Sequence, residues 1–134
     1  MRILIVEDEA LIAMMLADGL EDAGHEIAGP VATTDEALAL CEATLPDLAL
    51  LDVNLAEGGD GVVLAGTLLA RWGLLVVFAS AQSPALLQAR SSALGVIKKP
   101  YDMNTVLRGV EVARAVLDGQ RPVDVPTGFS LFSR

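Results

Sequence analysis

Leu48-Ala49-Leu50-Leu51-Asp52-Val53-Asn54 begins as an unbroken apolar run and ends on an acid. Apolar residues without polar alternation suit a strand covered on both faces, as the central strands of a parallel sheet are. Three other stretches repeat the arrangement. Ile3-Leu4-Ile5-Val6 ends on Glu7-Asp8, Val76-Val77-Phe78-Ala79 ends on Ser80, and Val96-Ile97 leads to Lys99-Pro100. In an open parallel sheet the C-terminal strand ends line up along one edge, so groups distant in sequence can meet in one pocket there. Three carboxylates, a hydroxyl and an ammonium in that pocket make a site for a divalent cation and a phosphoryl group.

Helical patterns fill the intervals, and alternating strands and helices argue for an α/β domain with a parallel sheet. The first strand is read as about Arg2 to Val6. The next segment places Ile12, Met15, Leu16, Gly19, Leu20 and Ala23 on one helical face, closed by Gly24. Glu26 to Val31 is a weaker strand. Thr33-Thr34-Asp35-Glu36 has the spacing of a capping box that opens a helix through about Ala43, ended by Pro46. After Asp52 a Gly-rich loop, Glu57-Gly58-Gly59-Asp60-Gly61, leads into an apolar helix to Trp72-Gly73, and Leu74 to Ala79 is the fourth strand. A helix from Ser83-Pro84 has an ill-marked end at Ser91-Ser92. Gly95 to Lys98 is a short fifth strand, and Asp102 caps a final helix with Val106, Val110, Ala113 and Leu117 in one stripe, ending near Gly119. Residues 120–134 show no period and read as a tail, although Phe129, Leu131 and Phe132 point to docking on this domain or on a partner.

A length of 134 residues fits one domain. Hydrophobic residues make up 53% and aromatics 4%, so the core must be mainly aliphatic. A formal charge of −9 repels a phosphate backbone, which argues against direct nucleic-acid binding. The single cysteine, Cys41, cannot form an intrachain disulfide, has no metal-binding neighbours, and is expected in the core. Two acids follow only four apolar positions at the start of the chain, too few for a secretory signal or membrane span, so a cytoplasmic protein with no membrane contact is expected. The only histidine, His25, is expected at a surface or capping position away from the acids, and Met14 and Met15 in packing rather than in a binding surface.

Magnesium takes hard oxygen ligands, one or two carboxylates with waters and phosphate oxygens, and Asp8 and Asp52 are suitable. Crowding Glu7, Asp8 and Asp52 together without a cation would raise at least one of their pKa values, so a bound metal resolves the repulsion. A carboxylate can itself accept a phosphoryl group as an acyl phosphate, and Asp52, on a central strand, is the expected nucleophile. Lys99 can pair with a transferred phosphoryl oxygen, and the Ser80 hydroxyl can donate a hydrogen bond to another.

With these residues in place, the chain resembles a response-regulator receiver domain, the phosphoacceptor module of bacterial two-component signalling, over roughly residues 2–118. Val6-Glu7-Asp8-Glu9 resembles the family's acidic pair, Leu50-Leu51-Asp52-Val53-Asn54 its phosphoacceptor segment, Phe78-Ala79-Ser80-Ala81 its Ser/Thr segment and Lys98-Lys99-Pro100-Tyr101 its Lys-Pro signature. The resemblance implies a flavodoxin-like (βα)5 fold, doubly wound, with five parallel strands in the order 2-1-3-4-5. It implies Mg²⁺ held by the side chains of Asp8 and Asp52, by Glu7 through water and by the backbone carbonyl of Asn54, with phosphoryl contacts from Ser80 and Lys99. A cis peptide before Pro100 is implied too. Partners would be a histidine kinase or histidine phosphotransfer protein and a downstream protein target, the chain itself being a monomer or weak homodimer and not an enzyme beyond its own phosphoryl chemistry.

Three departures mark this chain within that resemblance. Val96 stands where the family usually has an aromatic switch residue. Ala56 replaces the usual proline after the phosphoacceptor, and Asp60-Gly61 sits one residue further along than is common. Ser80-Ala81 stands where a receiver subgroup with a Phe-Ala-Thr-Gly motif has Thr-Gly. The expected organisation is a receiver over residues 1–118 and a tail over 119–134, with no effector domain. Two alternatives differ in class: a degenerate receiver serving as a constitutive docking module, and a flavodoxin-like cofactor binder, for which no G-x-G-x-x-G or P-loop pattern is present.

Overall fold

Every residue of Leu48–Leu51 is buried, as an unalternating apolar run requires, and this strand (β3) lies between β1 (Arg2–Val6) and β4 (Val76–Ser80). The computed structural model describes residues 1–53, 61–80, 93–98, 101–121 and 125–132, with Ser80 described for its backbone alone. β2 (Glu26–Val31) flanks β1 and β5 (Ala93–Lys98) flanks β4, giving five parallel strands in the order 2-1-3-4-5.

Alternation along the strands divides the core in two. Leu4, Val6, Ala49, Leu51 and Phe78 face α2 (Thr34–Ala43) and α3 (Gly61–Trp72), where Ala37, Cys41, Leu64 and Leu68 meet them. Ile3, Ile5, Leu48, Leu50 and Val77 face α1 (Ala10–Asp22) and α4 (Met103–Leu117) through Leu16, Leu20, Val106 and Val110. Both caps expected of these helices form. Glu36 N donates to Thr33 Oγ1 at 3.2 Å, and Thr105 N donates to Asp102 Oδ1 at 2.8 Å. The helix expected after Ser83-Pro84 lies outside the described residues.

Four details depart from the sequence reading. The sheet has six strands, because Phe129–Leu131 forms β6 and pairs antiparallel with β5 (Gly95 with Leu131, Val96 with Ser130, Ile97 with Phe129). The unperiodic tail therefore docks on this domain, and its apolar side chains are the reason: Phe129 is buried, and Leu131 and Phe132 pack on the two cores. The buried stripe of α1 is Ala13, Leu16, Ala17 and Leu20, while Leu11, Met14 and Met15 are exposed. Both methionines thus point away from the packing expected of them, since a helix apolar nearly all round leaves its phase undetermined by periodicity. Finally, His25 is buried rather than on the surface, with Nδ1 3.3 Å from the N-terminal nitrogen of Met1 and Nε2 3.9 Å from Glu111 Oε1.

Among the described strands, only β2 contains a proline. Pro30 interrupts β2, an edge strand, where a missing amide is tolerated. The register of β2 against β1 shifts there, between Leu4 and Val6. Gly29, preceding it, has φ +94°, a conformation that favours glycine, and the Gly29–Pro30 bond is cis. Pro100 and the bond before it lie outside the described residues.

Candidate functional site

β1 and β3 run in register with Val6 opposite Leu51, so Glu7-Asp8 and Asp52 leave the sheet side by side. Backbone bonds fix both exits. Asp52 N donates to Val6 O at 3.0 Å, and Glu7 N donates to Val31 O at 2.9 Å. Glu7 is held further by its side chain, whose Oε2 accepts from Glu9 N at 3.2 Å, just ahead of α1.

Glu7, Asp8 and Asp52 each offer a carboxylate oxygen, and these three oxygens lie within 4.8 Å of one another. Their surroundings differ. Glu7 and Asp52 are 4% and 8% exposed, whereas Asp8 faces solvent. Two buried anions beside a third are costly unless a cation is shared among them. An all-oxygen donor set, open to water at Asp8, suits a hard divalent ion such as Mg²⁺, which keeps several waters when bound.

The remaining sequence-derived residues fall differently. Ser80 ends β4 opposite Lys98 of β5, which brings those strands out at the same edge of the sheet, and its side chain lies outside the described residues. Asn54 and Lys99 lie outside them too. Val96, at the position of the family's aromatic switch, is buried, with Ser130 of β6 as its strand neighbour.

One residue that shapes the site entered the sequence reading only as part of a Gly-rich loop and of the displaced Asp60-Gly61 pair, not as a neighbour of Asp52. Gly61 opens α3 against the exit of β3, with its N–H donating to Val53 O at 2.7 Å. A Cβ there would overlap the backbone carbonyl of Asp52 and come within 2.8 Å of Val53 Cα. The signal available in the sequence was a glycine at the boundary between a loop and a helix, which also reads as an ordinary turn residue.

A doubly wound parallel sheet with three acids gathered at its C-terminal edge defines an α/β domain built around an acidic pocket. The family model of the response regulator receiver domain matches residues 3–111, and the chain belongs to that family. Members of the family generally bind Mg²⁺ at such a pocket and are phosphorylated there. The chain is 34% identical over 115 residues to the transcriptional regulatory protein PdtaR of Mycobacterium tuberculosis, covering 84% of this chain and 56% of that protein. It spans only about half the length of that relative. It is 29% identical to the chemotaxis protein CheY of Thermotoga maritima, covering 81% of this chain and 93% of that one. Among solved structures it resembles the signal receiver domain of a modulated diguanylate cyclase from Desulfovibrio desulfuricans G20, with a TM-score of 0.79, 30% identity and coverage of 87% and 95%. No helix among the described residues is long and apolar enough to cross a membrane.

Proposed function

We propose that this chain is a response-regulator receiver that accepts a phosphoryl group on Asp52 from a histidine kinase or histidine phosphotransfer protein in the cytoplasm. It signals through protein contacts that depend on that modification. The observation that carries the reading is the convergence of Glu7, Asp8 and Asp52, two of them buried, at the end of the central strands.

Asp8 and Asp52 would hold Mg²⁺ by side chain, with Glu7 acting through water and the backbone carbonyl of Asn54 completing the set, as the family resemblance implies. A bound ion would neutralise charge on the phosphoryl oxygens. An Asp52 carboxylate oxygen attacks phosphorus in line. The O–P bond forms as the N–P bond to the donor imidazole breaks, and the imidazole leaves with the electron pair and takes up a proton. Ser80 and Lys99 steady the phosphoryl oxygens. Burial of Asp52 limits the approach of bulk water to the acyl phosphate.

Incubation with Mg²⁺ and acetyl phosphate should add one phosphoryl group to the wild type and none to Asp52→Asn, read by intact mass. An unmodified wild type that stays folded under all donor conditions would instead favour a docking module without phosphoryl chemistry.

A further inference from the structure

The C-terminal end of β5 is held from outside by a backbone bond in which Lys98 N donates to Gly128 O at 2.8 Å. Lys98 is the last residue of β5, lies opposite Ser80 of β4, and is followed in sequence by Lys99. β4 flanks β5 on one side, and among the described strands only β6 flanks it on the other. The strand that leads to Lys99 therefore takes its outer support from the segment beyond α4.

That segment is built to keep its place. Pro126 is buried, and its carbonyl accepts from Phe129 N at 3.1 Å, closing a turn over residues 126–129. Within the turn Gly128 has φ +93°, a conformation that favours glycine, and from it the Gly128 carbonyl meets the Lys98 amide. Phe129 then enters a slot with glycine on two walls. A Cβ on Gly109 of α4 would come within 2.9 Å of the Phe129 ring and 3.2 Å of Ile97, and one on Gly95 of β5 would lie 3.0 Å from the same ring. Glycine inside a helix or strand is unfavourable unless something needs the space, and here an aromatic ring takes it. Phe129 also pairs with Ile97, the residue before Lys98. The last two residues of β5 are thus pinned by two consecutive residues of the turn and strand beyond α4. A group that must meet a transferred phosphoryl oxygen is sensitive to such pinning, because small misplacements of a reacting group cost rate steeply.

We infer that Gly128 and Phe129 are positioning residues for phosphoryl transfer, which by pinning Ile97 and Lys98 fix the strand end from which Lys99 reaches the phosphoryl group. They touch no reacting atom and act through the backbone of β5. The inference rests on the reading of Asp52 as phosphoacceptor and of Lys99 as a phosphoryl contact.

A double-mutant cycle tests it. Phe129→Ala is made in the wild type and in Lys99→Ala, and modification by acetyl phosphate with Mg²⁺ is timed by intact mass at a temperature where far-UV spectra show each variant folded. Gly128→Ala, which strains the turn and leaves the ring its slot, is carried in parallel and should act in the same direction. Phe129→Ala should slow the wild type ~10-fold, within the ~100-fold that an ångström of misplacement can cost, and slow Lys99→Ala less than ~2-fold, because the group it aims is already gone. Exchange of the Lys98 amide, followed by NMR, should quicken at least ~10-fold in both single variants. Equal slowing in the two backgrounds would show a general loss of structure and overturn the inference, as would a Lys98 amide as protected in the variants as in the wild type. A wild type that acetyl phosphate does not modify, or a Lys99→Ala variant as fast as the wild type, would instead sink the underlying reading of the site, and the inference with it.

Discussion

Gly61 and Asp52 illustrate how a site residue depends on a neighbour that contributes no side chain. The first turn of α3 rests against the backbone of Asp52 so closely that Gly61→Ala must push the helix start or the strand exit aside. Overpacking of this kind costs about 1–3 kcal/mol. The substitution should lower the urea midpoint and slow modification of Asp52 by acetyl phosphate, whereas an unchanged midpoint and rate would show that the helix start yields freely. Individual acids were legible because their types and positions after apolar runs carry the chemistry. Gly61 was not, since its importance lies in a close approach between segments that no local pattern encodes. His25 gives a second residue-scale expectation. Burial, then the nearby N-terminal ammonium, hold its imidazole below the ordinary value of 6.5, against a smaller opposite influence from Glu111 and with Arg114 acting in the same sense as the ammonium. The unfolded chain therefore binds the proton more readily. The contribution to stability is complete above pH 6.5 and is lost as pH falls through the folded-state pKa. Thermal melts from pH 7.5 to 5 should show this decline, with a shallower slope in His25→Asn.

Among the elements, α2 was the most readable. Its N-cap and the reciprocal Glu36 contact follow directly from Thr33-Thr34-Asp35-Glu36, with Ala32 N donating to Glu36 Oε1 at 3.4 Å and Thr33 Oγ1 to the same oxygen at 3.0 Å. Thr33→Ala should destabilise the domain by about 1 kcal/mol in chemical denaturation, and Thr33→Ser by much less, because serine keeps the capping oxygen. α1 was legible as a helix but not in phase, for Leu11, Met14 and Met15 add apolar residues on the side that faces solvent. β6 was least legible. Three residues set no period, and what holds them is a partner strand more than thirty positions earlier, with two glycines whose role appears only when the strands are paired.

For the molecule as a whole, a parallel sheet with a two-sided core followed from apolar runs alternating with helical patterns, because burial on both faces of such a sheet leaves that mark on a sequence, whereas the strand order followed only from the family resemblance. The acidic cluster followed too, since the topology aligns strand exits whatever the intervening loops do. The margin of the sheet did not. One margin is β2, which carries Pro30, and the other is the three-residue β6. Beneath β6 lies Ala93-Leu94-Gly95-Val96-Ile97, a charge-free strand segment whose five residues are all buried. Stripped of its cover, such a strand is a template for uncontrolled fibrous or amorphous aggregation. A chain cut at residue 118, where helical periodicity stops, should therefore turn turbid and precipitate on concentration, whereas one kept through residue 132 stays clear, a difference that a static scattering measurement would record. The short terminal strand then acts as a solubility guard for the domain.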